Sequence, residues 1–276
     1  MALELFNLNN KNALITGAAG VLGKEHASAL LEAGSRVIIT DICQENLERT
    51  KKDLAKSFDE TLIETQVMDV TNEENIKLVN DFYVSNDKKI DILINNAAID
   101  PKVDSGNGIK DSSRLENFQL SDWNLQINVG LTGAFLCSKI FGATMAKNNG
   151  GIILNIASDL SVISPDQRLY KEPNKDEESQ PVKPITYSVI KTGLIGMTRY
   201  LSTYWIDKGV RCNSLSPGGI YTSQDKEFLS KIKNLIPMGR MAKKDEYRST
   251  IQYLCSDASS YMNGQNIVVD GGRSVW

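Results

Sequence analysis

One histidine, His26, is all that 276 residues provide, so a multi-histidine metal centre is excluded. The four cysteines, Cys43, Cys137, Cys212 and Cys255, stand far apart with no C-x-x-C pair. Metal-ligand spacing is therefore absent, and scattered thiols suit a reducing cytoplasm. No run of about 18 apolar residues occurs, so no membrane span is expected. The stretch Met1–Leu8 has neither a basic region nor an apolar core and does not read as a secretory signal. An excess of charge is lacking too: 31 Lys plus Arg face 34 Asp plus Glu, a net charge of −3. A duplex-binding protein usually carries a basic face, and this balance speaks against nucleic acid. The expectation is a cytoplasmic protein with a small-molecule substrate and neither nucleic acid nor membrane as partner. With 41% apolar and 24% charged residues, the composition is that of a globular chain, large enough to bury a core without a staple.

Short β-rich runs alternate with longer stretches of helical spacing. Asn12–Thr16, Arg36–Thr40, Leu62–Val67, Asp91–Asn95, Gly151–Ala157, Arg211–Leu215 and Asn266–Val269 read as strands. Several are continuous Val/Ile/Leu runs, as expected of parallel strands covered on both faces. Gly23–Glu32, Thr71–Val84, Ser121–Ala146 and Thr186–Ile206 read as helices. The alternation predicts an α/β fold in three layers, with a parallel sheet of about seven strands between helices. No repeat or linker divides the chain, so a single domain over 1–276 is expected. Two segments break the rhythm: polar Asp100–Glu116, and Leu160–Ile185, which holds four of the seven prolines. Long structureless segments in compact domains tend to be lids or binding loops.

Thr16-Gly-Ala-Ala-Gly-Val-Leu-Gly23 follows a strand and opens a helix. Glycines at 17, 20 and 23 let the backbone turn sharply and approach a pyrophosphate, which the helix N-terminus attracts through the free amides of Val21 and Leu22. An acid, Asp41, closes the next strand 24 residues after Gly17. Its carboxylate can accept both ribose hydroxyls of an adenosine and would repel a 2′-phosphate. Ile42 follows it where a phosphate-binding Arg or Lys could stand. NAD is therefore expected as cofactor rather than NADP. Asp69, before Val70 at the end of the third strand, can accept the adenine amino group. Asn95-Asn96-Ala97-Ala98 closes another apolar strand with small residues that permit close cofactor approach. Together these features predict a Rossmann-type doubly wound sheet.

Tyr187-Ser-Val-Ile-Lys191 places a phenol and an ammonium four residues apart, on one helix face. A free phenol has a pKa near 10 and is a poor base at neutral pH. An ammonium about 4 Å away favours the phenolate by roughly 4 kcal/mol at an effective dielectric near 20, about three pK units. That brings the group into the range where it can exchange a proton with an alcohol. Alone, such a pair reads as a solvated helix face. Ser158 ends the buried strand before it, and strand ends are where ligands approach in open parallel sheets. Its hydroxyl could hold a substrate oxygen against the tyrosine, and Asn128 could anchor a water that relays protons from Lys191.

In these motifs the chain resembles the single-domain branch of the short-chain dehydrogenase/reductase family, from Lys11 to about Gly272. The likeness rests on TGAAGVLG at 16–23, Asp69-Val70, NNAA at 95–98, Asn128, Ser158, YSVIK at 187–191, Pro217-Gly218 and Val269-Asp-Gly-Gly272. It implies a catalytic tetrad of Asn128, Ser158, Tyr187 and Lys191, with Tyr187 as acid/base and Lys191 also bonding the nicotinamide ribose. It implies that Pro217 to Thr222 wrap the nicotinamide, with Ile220 and Thr222 near its carboxamide, and that the protein is a homo-oligomer. The chain is also similar to bacterial carbohydrate-directed members, including those of surface-glycan or flagellin modification. A sugar or sugar-derivative substrate is the expectation. The alternatives are a 3-oxoacyl thioester reductase and a catalytically silent NAD-binding regulator.

Two departures stand out. Val21 occupies the place of the family's middle glycine, and Gly20 precedes it. Ser158 and Tyr187 are 29 residues apart, more than twice the usual spacing, and the extra sequence leaves from one catalytic residue and returns to another. A substrate lid over about 160–185 is therefore expected. Asp159 and Arg168 are taken as substrate contacts within it. Tyr170, at the usual distance from Ser158, is a decoy, since Asn174 rather than Lys stands four residues on. His26 reads as a surface or packing residue, Lys24 as a phosphate contact or a solvated lysine, and Trp123, Trp205 and Phe135 as packing residues. Trp276 reads as an interface residue.

Overall fold

The computed structural model describes residues 2–99, 113–173 and 175–276. Seven parallel strands form one sheet: β1 Asn12–Thr16, β2 Arg36–Asp41, β3 Ile63–Val67, β4 Ile92–Asn95, β5 Gly151–Ile156, β6 Val210–Pro217 and β7 Asn266–Val269. Their spatial order is β3-β2-β1-β4-β5-β6-β7. The chain reverses direction across the sheet between β1 and β4, which leaves a crevice at their C-terminal ends. Thr16 and Asn95 end those two strands at this crevice.

Alternation along each strand divides the core into two layers. Ala13, Ile15, Val37, Ile39 and Ile94 pack with Leu30, Leu47 and Ile251 on one face. These three lie on α1 (Val21–Glu32), α2 (Gln44–Leu54) and α8 (Arg248–Leu254). Leu14, Ile38, Leu93 and Ile153 point the other way and meet Val79, Phe141 and Leu201. The helices on that face are α3 (Glu73–Ser85), α5 (Gly133–Lys147) and α6 (Ile185–Tyr204). The expected three layers and seven parallel strands are thus present.

Some elements differ from the reading of the sequence. α2 escapes it because QENLERTKKDL buries only Leu47, Thr50 and Leu54, too thin an apolar stripe to stand out. The helix predicted over Ser121–Ala146 is interrupted: α4 (Leu120–Ile127) passes into a π turn at Asn128–Thr132 before α5. This combined helix, Leu120–Lys147, is long and apolar enough to cross a membrane by length and composition. Its apolarity has a local reason, because Phe141 and Met145 pack against the sheet and Ala134 packs against Ile190 and Leu194 of α6. Phe135 is a correction to the packing assignment, since it is half exposed. Trp205 does pack, closing on Gly142, where a Cβ would lie 2.5 Å from its ring. Residues 100–112 of the polar loop lie outside the described residues. The excursion 160–185 contains short 3-10 turns. Leu169 and Tyr170 anchor it against Phe228, Ile232 and Ile236, the first two of these on α7 (Lys226–Ile232).

His26 is buried on α1, with burial and, to a smaller extent, the Lys191 ammonium lowering its pKa from 6.5 to about 3 against a hydrogen bond to the Asn96 side chain that raises it. Between those values the unfolded chain binds a proton that the folded chain does not. Its contribution to stability is therefore complete above pH 6.5 and declines by about 1.4 kcal/mol per pH unit as the medium is acidified toward pH 3. The substitution His26→Leu should flatten the decline between pH 6.5 and 4.5 in urea-unfolding midpoints, and a mutant curve parallel to wild type would contradict this assignment.

Candidate active site

Glycine geometry builds the floor of the crevice. Gly17 has a φ of +62°, and a Cβ there would lie 2.8 Å from the Ala97 Cα. A Cβ on Gly23 would lie 2.5 Å from the Gly17 carbonyl oxygen. The loop is thus pressed against both β4 and α1, with no room for side chains between. Asn96 fixes it further: its Nδ2 donates to the carbonyls of Thr16 and Gly17, each at 3.0 Å. Thr16 Oγ1 accepts from the backbone N–H groups of Asn96 and Ala97. The Asn96 amide is therefore spent on holding the loop.

Gly20 is the N-cap of α1, with extended backbone and no side-chain cap. The amides of the first helical turn have no partner within the helix itself and can receive an anion. Val21 opens that turn partly exposed, and Leu22 packs against the core beneath it. Lys24 does not point to a phosphate: its Nζ lies 2.8 Å from Asp53 on α2, so the solvated reading holds. Asp41 turns its carboxylate to the loop, where Oδ2 accepts from the Ala19 N–H and Oδ1 from the Cys43 N–H, both at 3.3 Å. Ile42 beside it is exposed. Asp69 Oδ1 accepts from the Thr71 N–H and hydroxyl. Val70 is buried under Gly133, whereas Ala98 is exposed at the mouth of β4.

On the other side, Pro217 ends β6, and Gly218 fits against Asp270, where a Cβ would lie 2.9 Å from its Cα. Tyr247 donates to the Gly218 carbonyl at 2.8 Å. Ile220 bridges to Ala242, and the Thr222 N–H donates to Gln224. The segment expected to wrap a nicotinamide is thus tied down on both flanks.

A polar chain runs through the interior beneath these parts. Asn95 Nδ2 donates to Ser138 on α5 and to Asn155 on β5, and Asn155 Nδ2 donates to Thr198 on α6 at 2.8 Å. It pins α6 to the sheet, and nothing in the spacing of these residues announces it. Lys191, buried on α6, donates to the Ile156 carbonyl at 2.8 Å. Its Nζ lies 5.8 Å from the centre of the Tyr187 ring, so the two side chains converge as expected. Lys183, from the excursion, brings a second ammonium to 3.9 Å above the same ring. Both positive charges favour the phenolate over the neutral phenol. Nothing in the spacing of Lys183 and Tyr187 announces this second cation.

Ser158 ends this strand region buried, but its partners were not foreseen. Its hydroxyl donates to Asp159 Oδ1 at 2.9 Å, and Asp159 Oδ2 accepts from Arg273 at 2.8 Å. Asp159 is therefore corrected from substrate contact to the base on which Ser158 rests. Arg168 is corrected as well: its side chain is 81% exposed and pairs with Asp166 at 2.7 Å. Asn128 opens the π turn exposed, its backbone N–H bonded to the Asn124 and Leu125 carbonyls and its carbonyl accepting from the Gly133 N–H. The residue of that turn facing α6 is Gly130, where a Cβ would lie 2.8 Å from Ile190 Cγ2. The structure thus brings Lys191 to the end of β5 beside Tyr187, with Ser158 two residues beyond Ile156.

Residues that fit a dinucleotide and a phenol flanked by ammonium groups define an alcohol-ketone oxidoreductase site. Residues 11–170 match the family of the short chain dehydrogenases, and residues 174–274 match an enoyl-(acyl carrier protein) reductase family model. The chain belongs to the short-chain dehydrogenase/reductase family. It is 30% identical over 275 residues to a D-threitol dehydrogenase of Mycolicibacterium smegmatis, covering 98% of this chain and 95% of the relative. It is equally similar, at 30%, to an NAD-dependent glycerol dehydrogenase of Listeria innocua (98% and 96% covered). A 3-oxoacyl-(acyl-carrier-protein) reductase FabG of Thermotoga maritima is 32% identical over 97% of this chain and 99% of its own. Among solved structures, a gluconate 5-dehydrogenase from Burkholderia cenocepacia, in complex with NADP and tartrate, superimposes with a TM-score of 0.84 at 26% identity, with both chains fully covered.

Two outcomes are expected of this geometry. Gly17→Ala should weaken nicotinamide cofactor binding at least tenfold in a fluorescence titration, since both its positive φ and the Ala97 backbone reject a Cβ. Lys183→Met should move the acid limb of alcohol oxidation to higher pH, while Lys183→Arg leaves it near its original place.

Proposed function

We propose that this chain is an NAD-dependent oxidoreductase that interconverts a secondary alcohol and a ketone on a polyol or sugar derivative. The observation that carries the reading is Tyr187, with the ammonium groups of Lys191 and Lys183 near its ring. In the oxidative direction Tyr187, as phenolate, takes the hydroxyl proton of the substrate carbinol. Lys191 sustains that charge from its anchor on the Ile156 carbonyl, and Ser158 orients the substrate. The nicotinamide cofactor, when bound, supplies the acceptor for the hydride leaving the same carbon. The glycine loop and first turn of α1 would hold its diphosphate, and Pro217 to Thr222 its nicotinamide end.

Asp41 supports NAD over NADP. Its carboxylate faces the loop with both oxygens fixed by backbone N–H groups, a negative charge where a 2′-phosphate would have to lie. The threitol and glycerol dehydrogenases among the relatives support a polyol-like substrate, and the excursion 160–185 acts in this reading as the lid of that pocket. Use in carbohydrate modification of surface glycans or flagellin follows from the resemblance in sequence. Exposed Leu125, Phe135, Tyr200 and Tyr204 on α4, α5 and α6 support a homo-oligomer, and the buried free thiols support a cytoplasmic protein. Burial pushes the thiols of Cys137, Cys212 and Cys255 up to about 12. A 3-oxoacyl thioester reductase, the activity named for the Thermotoga relative, is the second reading; the family's thioester reductases usually prefer NADPH, and Asp41 stands against that.

Following reduced-nicotinamide absorbance over a panel of polyols, sugars and a 3-oxoacyl thioester, with each coenzyme, tests the proposal. Turnover with a polyol or sugar and NAD is expected, and Tyr187→Phe should abolish it while NAD still binds. Turnover retained by that variant, or confined to the thioester with NADPH, overturns it.

A further inference from the structure

Between β6 and α7 the backbone forms a small receptor for an amide. The Gly219 carbonyl accepts from the Ala242 N–H at 3.0 Å, and the Tyr221 N–H donates to the Ala242 carbonyl at 2.9 Å. The loop between α7 and α8 thus closes one edge of this extended stretch. Backbone groups of successive residues alternate between edges, so the Ile220 carbonyl and the Thr222 N–H belong to the other one. Both are taken there by a single side chain. Gln224 Oε1 accepts from the Thr222 N–H at 2.8 Å, while Gln224 Nε2 donates to the Ile220 carbonyl at 2.8 Å and to Thr222 Oγ1 at 3.2 Å. A primary amide has one accepting oxygen and two N–H donors, and this receptor engages all of them.

Holding the amide in place has a conformational cost. Ser223, between Thr222 and Gln224, has a φ of +70°, in the left-handed region that a residue with a Cβ enters only at some expense. Strain of this kind persists where surrounding bonds impose it, and it collects at ligand clamps and switches. Gln224 itself is only partly buried, so its amide has solvent to enter when it leaves the receptor.

A nicotinamide ring carries the same primary carboxamide. We propose that Gln224 is a placeholder: in the free protein its side chain fills the receptor made by Ile220 and Thr222, and the cofactor's carboxamide binds there by displacing it. The inference rests on the reading of Pro217 to Thr222 as the holder of the nicotinamide end. The Thr222 N–H has one hydrogen to give, so the two amides exclude one another. Affinity for the cofactor is then lowered by the fraction of molecules whose receptor is already filled. A ligand without the pyridine ring leaves Gln224 where it is and escapes this competition. Gln224 therefore sets affinity for the nicotinamide moiety alone.

Calorimetric titration of the unliganded protein with NAD and with ADP-ribose, which lacks the nicotinamide, measures that competition. Gln224→Met should bind NAD about threefold to tenfold more tightly than wild type and ADP-ribose with unchanged affinity. Gln224→Asn keeps an amide but is one methylene too short to fold back on Ile220, and it should show the same gain. This second variant distinguishes a vacated receptor from a methionine that packs on the ring. If the clamp served only to stiffen the segment, both variants would bind NAD more weakly. Unchanged or weaker NAD binding in the variants, a gain confined to Gln224→Met, or an equal gain for ADP-ribose overturns the inference. Wild-type protein that binds neither ligand would instead overturn the reading of the crevice as a dinucleotide site.

Discussion

The bond from the Lys191 ammonium to the Ile156 carbonyl, 2.8 Å long and buried, is the constraint from which the site is assembled. An ammonium removed from water needs partners to compensate its lost hydration, and the carbonyl at the end of β5 provides one. The bond holds α6 against the end of the sheet and leaves Tyr187, one turn earlier, at the crevice. It also places a positive charge near His26, which burial keeps neutral at physiological pH. A second cation on α1 would repel Lys191.

Around that fixed point the protein uses two different kinds of precision. The cofactor side is built from steric contact: Gly17 on Ala97, Gly23 on the Gly17 carbonyl, Gly218 on Asp270. None of these tolerates a methyl group. The substrate side is built from charge and hydrogen bonding, with Lys183 above the tyrosine ring and Arg273 behind Asp159. Steric contact suits a ligand of constant shape, and polar contact suits discrimination among substrates that differ by a hydroxyl.

How much of this could be read from the amino-acid string follows the same division. Strands β1 and β7 match the predicted bounds, four others shift by one residue at one end, and β6 extends by one residue at its start and two at its end, because continuous apolar runs mark doubly covered parallel strands. The glycine loop, Asp41 and the Tyr187–Lys191 pair were legible since each depends on spacing within one element and its neighbour. What stayed hidden depends on residues distant in sequence. Arg273 meets Asp159 across 114 positions, and Asn95, Asn155 and Thr198 join three elements. The π turn at Asn128–Thr132 was hidden for a related reason, because the fit of Gly130 against Ile190 joins two helices distant in sequence. Arg168 and Lys183 sit in one excursion, and it is Lys183, its N–H bonded to Gln167, that reaches the tyrosine while Arg168 pairs with Asp166.

The Asp159–Arg273 pair also bears on the order in which the protein becomes competent during biosynthesis. The carboxylate is made 114 residues before the guanidinium that neutralises it. At a translation rate of roughly 5–20 residues per second that is an interval of about 6–23 s. Throughout it the shelf under Ser158 carries an uncompensated negative charge and has every reason to remain hydrated and loose. The sheet can begin to form from its first five strands meanwhile, but the reactive corner closes only when the segment bearing Arg273 folds back.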